Sequence, residues 1–120
     1  METSNSERIP LQVSRGCVIA SIQIEISVDV LKQFRMELLE ILEKSRAWGV
    51  ILDVSGLEIL DLEDFNALCK TMEMVMVMGA KPVLSGLKPG LVSALIDLGA
   101  EVDGVTAALN LDEAFRLLEQ

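Results

Sequence analysis

Between Asp53 and Asp64 the chain carries five carboxylates, Asp53, Glu58, Asp61, Glu63 and Asp64, and no base. Carboxylates in such numbers hold divalent cations or move protons in acid–base catalysis. The oxygen ligands here lack the spacing of any recognisable cation loop, so no metal site is expected. A helix start accounts for the same residues. Asp61 is placed as the capping side chain, Glu63 and Asp64 as first-turn acids that the helix dipole favours, and Asp53 as a turn residue. A second polar stretch, Ser85-Gly86-Leu87-Lys88-Pro89-Gly90, offers backbone amides and one cation near another helix start. That is the raw material of a phosphate cradle, but without the length or pattern of a P-loop; a tight turn is the better reading.

The remaining composition narrows the chemistry further. None of the 120 residues is His, which removes Ser-His-Asp and Cys-His catalysis and the usual zinc and iron sites. No nucleophile has a recognisable base, so no catalytic residue, cofactor or enzymatic activity is expected. Cys17 and Cys69 sit in apolar surroundings, and two buried thiols in a reducing compartment are preferred to a disulfide. Ten basic residues against nineteen acidic ones leave a net charge of −9. Such a chain repels phosphate backbones and anionic headgroups, so neither nucleic acid nor a membrane surface is an expected partner. The polar N-terminus lacks the features of a signal peptide and no apolar run approaches a membrane span, so a cytoplasmic protein is expected.

The elements that must position these groups follow from periodicity. Hydrophobic residues make up 51% of the chain and aromatics only 3%, so one domain is expected with a core of Leu, Val, Ile, Met and Ala. Residues 1–8 read as a polar lead-in and 9–120 as the domain. Ile9–Val13 and Cys17–Ile24 are predicted as strands joined by a turn at Ser14-Arg15-Gly16, the second apolar enough to be covered on both faces. Ser27 caps a predicted helix to about Ala47, with Leu31, Phe34, Leu38, Ile41 and Leu42 on one face. A short strand from Gly49 to Val54 follows. The next helix starts at Asp61 and closes at Gly79, with Phe65, Leu68, Cys69, Met72, Val75 and Met76 as its buried stripe. Lys81–Ser85 is a strand, Pro89 opens a helix carrying Leu91, Val92, Leu95 and Ile96, and a short strand lies near Val105–Ala108. Asn110 with Glu113 then starts a last helix bearing Leu111, Ala114, Phe115 and Leu118. This β-β-α-β-α-β-α-β-α order predicts an α/β fold, a mixed sheet with parallel pairs and about four helices packed on it.

One segment exceeds what a single core needs. In Met72-Glu-Met-Val-Met-Val-Met78, the residues Met74, Val77 and Met78 lie off the predicted buried stripe. A helix apolar beyond one face is covered by a neighbouring helix or by another chain, and both readings stay open here.

The stretches Val50-Ile-Leu-Asp53-Val-Ser-Gly-Leu-Glu-Ile-Leu-Asp61 and Met78-Gly-Ala-Lys-Pro-Val-Leu-Ser-Gly-Leu-Lys-Pro89 resemble a STAS domain, the fold of bacterial anti-sigma-factor antagonists. Ile9-Pro10-Leu, Ser21-Ile-Gln23 and Ile96-Asp-Leu-Gly99 are similar to the RsbS type within that family, the small scaffold subunit of the stressosome. The resemblance implies a non-enzymatic scaffold in a stress-signalling, partner-switching pathway. It implies RsbR-type co-subunits, a switch serine kinase of the RsbT type, and a homo- or hetero-oligomer. It implies kinase docking on the loop before the helix that starts at Asp61 and on its first turn, so the expected partner-binding edge is Asp53, Ser55, Asp61, Leu62, Glu63, Asp64 and Ser85. Met74, Val77 and Met78 are candidate oligomer contacts only by their place off the buried stripe. In the family pattern a serine directly after the Asp at this helix start is phosphorylated. Here that position is Leu62, which has no hydroxyl. Either the regulated hydroxyl lies elsewhere on the edge, at Ser55 or Ser85, or the edge works without phosphorylation; the second is preferred. A solitary antagonist and a small-ligand or nucleotide-binding module are the alternatives.

Overall fold

The computed structural model describes residues 8–23 and 25–119. The elements are β1 (Leu11–Ser14), β2 (Cys17–Ser21), α1 (Val28–Ser45), β3 (Gly49–Asp53), α2 (Leu62–Val77), β4 (Lys81–Ser85), α3 (Pro89–Asp97), β5 (Ala107–Ala108) and α4 (Leu111–Leu118). They form one five-stranded sheet in the order β1-β2-β3-β4-β5. The β1–β2 pair is antiparallel and the other three pairs are parallel. Parallel neighbours need crossovers, and α1, α2 and α3 supply them.

Side chains alternate across this sheet, and both faces are covered. Val18, Ala20, Val50, Leu52 and Leu84 point to the face packed by Phe34 and Leu38 of α1, Phe65, Leu68 and Val75 of α2, and Leu95 of α3. Cys17, Ile19, Ile51 and Val83 point to the other face, against Ala114, Phe115 and Leu118 of α4. The predicted double coverage of β2 is therefore correct. Gly49 lets α4 approach: a Cβ there would lie 2.9 Å from a Leu118 methyl and 3.2 Å from the Cys17 sulfur. The β1–β2 turn has Arg15 and Gly16 at φ 56° and 78°, the pairing that suits a two-residue hairpin. From that turn the Arg15 guanidinium sits 4.3 Å above the Phe115 ring and 3.0 Å from the Glu119 carboxylate.

Several boundaries differ from expectation for identifiable reasons. β1 begins at Leu11, because Pro10 has no N–H to give the ladder, although its carbonyl accepts from Ser21 N. β2 ends at Ser21; the buried Ile22 hangs on Asp53 O by a single bond, and Ile24 lies outside the described residues. α1 stops at Ser45, where Arg46 turns left-handed at φ 56°. β5 is only two residues long, since Val105 N is used in a turn to Val102 O. The predicted lead-in falls outside the described residues except for Arg8, whose guanidinium pairs with Glu37 of α1. In α3 the expected apolar face is shorter than predicted: Leu95 is buried and Leu91 partly so, while Val92 and Ile96 remain exposed.

The buried face of α2 also differs. It consists of Phe65, Leu68, Thr71, Met72 and Val75. Thr71 has replaced Cys69 and Met76, which move to the margin, half-buried and exposed respectively. At about 100° per residue, that turns the helix by roughly 40° from the setting its apolar residues alone prescribe.

Candidate docking edge

The acidic loop and the start of α2 sit at the carboxyl ends of β2, β3 and β4, where open α/β sheets present their sites. Asp61 is extended (φ −83°, ψ 173°) and its Oδ1 accepts from Asp64 N at 2.8 Å. It is thus the N-cap, with Glu63 and Asp64 in the first turn. Asp61 and Glu63 are exposed, whereas Leu62 and Asp64 are half-buried. Partial burial pushes the Asp64 carboxyl above its ordinary value, and the charges of Asp61, Glu63 and Glu25 push it the same way. Glu25 was not among the residues expected at this edge. It reaches the helix start because the chain leaves the sheet after β2, and only the fold reveals that approach.

These carboxylates line an open groove of about 570 Å³ bounded by Gln23, Glu25, Ile26, residues 56–61, Glu63 and Asp64. Ile59, part of that lining, is 82% exposed, an apolar feature that the charge pattern hid. Glu58 is drawn out of the cluster by Lys88, 2.7 Å away, and the hydrogen bond and charge of that ammonium hold its carboxyl below the ordinary range.

The remaining edge residues separate into surface and interior. Asp53 is half-buried and turns its Oδ1 back to accept from Ser55 N at 3.0 Å, the turn role predicted for it. Ser55 is exposed and pressed against Gly86, where a Cβ would come within 2.7 Å of the Ser55 Cβ. Ser85 is not on the edge. It shares the sheet register with Asp53, is 1% exposed, and its hydroxyl has no hydrogen-bond partner among the described residues. It therefore offers no surface hydroxyl, which corrects its placement as a partner contact or displaced phosphoacceptor. The tight turn expected at Ser85–Gly90 is not formed: residues 86–88 run from β4 into α3 without a turn, Gly86 N bonding to Ala108 O and Lys88 pairing with Glu58.

At the opposite end of α2, Val77 is 87% and Met78 46% exposed, whereas Met74 is half-buried. Trp48, before β3, is also exposed. The two thiols are free: Cys17 is buried against α4, and Cys69 is half-buried on α2 across the sheet, less enclosed than expected. Among the described residues no three Asp, Glu or Cys side chains converge on a metal-sized site, and no helix is long and apolar enough to cross a membrane.

Residues 8–114 match the sequence model of the STAS domain. The chain belongs to the STAS domain family. The STAS domain is 25% identical to a serine-to-glutamate variant of RsbS from Moorella thermoacetica, with TM-score 0.78 over 92% of this chain and 94% of that one. It matches a chain of the stressosome, described as a signal integration and transduction hub, equally well: 25% identity and TM-score 0.79 over 92% and 96% of the two chains. Among curated relatives, the RsbT co-antagonist protein RsbRB of Bacillus subtilis (strain 168) is 22% identical over 104 residues, 87% of this chain. The STAS domain spans only 38% of that relative's length. The expected α/β architecture, and the family inferred from residues 50–61 and 78–89, are both correct.

Proposed function

We propose that this STAS domain is a non-catalytic scaffold subunit of a stressosome-type, partner-switching assembly in the cytoplasm. Its acidic edge captures a switch serine kinase of the RsbT type, and the apolar end of α2 contacts RsbR-type subunits or further copies. The observation that carries this reading is the α2 start itself. A carboxylate cap, two further acids and the exposed Ile59 form a prominent surface, while the residue after the cap, Leu62, has no hydroxyl. The likeness to stressosome chains and to two proteins named as RsbT co-antagonists supports the choice of partners.

Electrostatics give the capture step a signature. Fixed negative charge at a helix start draws a Lys- or Arg-bearing surface, and salt screens that attraction. Capture of an RsbT-type kinase on an immobilised surface tests it. The on-rate falls with rising salt, and replacing Glu63 and Asp64 with Gln and Asn slows it. Equal, salt-independent on-rates for parent and variant contradict the reading.

A further inference from the structure

The setting of α2 has a specific polar cause. Thr71 is completely buried, and its hydroxyl donates to Ala67 O at 2.9 Å, back along its own helix. Arg35 of α1 closes the arrangement from outside: Nε donates to Thr71 Oγ1 at 2.8 Å and an Nη donates to Ala67 O at 2.7 Å. A guanidinium fork engaging two acceptors fixes direction as well as distance. Hydrophobic burial, by contrast, is non-directional, and on its own it would turn Cys69 and Met76 inward and Thr71 outward.

We propose that Arg35 sets the rotation of α2 about its axis, and thereby which side chains the first turn of α2 offers at the docking edge. Ala67 lies six residues beyond the cap, about 9 Å along the axis, so a rigid helix carries the setting to its start. In the observed rotation Asp64 sits near the buried side and Leu62 toward the flank. A turn of roughly 40° toward the apolar setting brings Leu62 inward and moves Asp64 from the buried side out to the flank, at about 100° per residue. Arg35 is thus a positioning residue. The link to docking rests on the reading of the acidic edge given above; the control of rotation does not.

The two thiols report on the rotation without any partner. Cys69 lies on the margin that would turn inward, and Cys17, fully buried on the other face, reacts only when the fold opens. Alkylation by iodoacetamide, followed residue by residue by mass spectrometry, is compared for the parent, Arg35→Met, Arg35→Lys and the double variant Arg35→Met with Thr71→Val. The expected result is several-fold slower modification of Cys69 in Arg35→Met with Cys17 still protected, and partial recovery in Arg35→Lys. The double variant returns to the parent rate, because an apolar residue at position 71 again favours burying that side. Unchanged Cys69 reactivity overturns the proposal, as does faster reaction of Cys69, alone or with Cys17, which makes Arg35 a prop for stability only. With rotation demonstrated, an unchanged on-rate for the RsbT-type kinase separates two failures. If the Glu63 and Asp64 replacements slow capture, the link from rotation to docking is wrong; if they do not, the docking edge itself is wrong.

Discussion

The Asp61 carboxylate receives the Asp64 amide at 2.8 Å, so one acid of the edge holds the backbone from which another projects. That bond satisfies an N–H that α2 would otherwise leave without a partner. Asp61→Ala is expected to cost about 1 kcal/mol in chemical denaturation, and Asp61→Asn, which keeps the acceptor, much less. Equal losses for the two variants would mean that the negative charge, not the cap, is what α2 needs.

The same proximity makes Asp64 a proton-linked group. Its folded pKa is raised above its ordinary value of 3.8, first by burial and then by Asp61, Glu63 and Glu25. The folded state therefore binds the proton more tightly than the unfolded one. The stability this adds is complete below the ordinary value and is lost as pH rises through the folded pKa. Replacing Glu63 with Gln removes one of the neighbouring charges. NMR titration should place the Asp64 midpoint above 3.8 in the parent and lower it in Glu63→Gln. A midpoint that ignores Glu63 would mean the two side chains do not face each other.

At the far end of α2, Val77 and Met78 are exposed, so charged side chains there disturb no core. The pair Val77→Glu and Met78→Lys is expected to leave the thermal midpoint nearly unchanged and to weaken self-association or association with RsbR-type subunits in sedimentation. Met74→Glu is a different experiment: that residue is half-buried, and its change should also lower stability. Full assembly by the Val77/Met78 variant would exclude this end of the helix as a contact.

Legibility in the sequence followed the range of each interaction. The caps at Ser27, Asp61 and Asn110 join a side chain to an amide three residues on, and all three were readable from local chemistry. The strand–helix alternation was readable for the same reason. Thr71 was not, because its buried hydroxyl accepts from Arg35, thirty-six positions earlier, a contact that no local pattern announces. Met76 was misplaced by the same omission, since apolar periodicity assigns a helix face without knowing what polar contact competes for it. Ser85 looked like a surface hydroxyl in a Ser-Gly-Leu-Lys-Pro turn. Sheet register, which depends on β3 and β5, places it inside.

A proposed docking edge that binds a kinase without offering it a hydroxyl is open to phosphate mapping. Parent and Leu62→Ser proteins are incubated with ATP and an RsbT-type kinase that both are shown to bind, and each is mapped by mass spectrometry. The expected result is no phosphate on residues 61–65 of the parent and phosphate on position 62 of the variant. There Asp61 supplies the preceding carboxylate, and a helix start tolerates the added charge. Phosphate on Ser55 of the parent, or none on the Leu62→Ser protein, would contradict it.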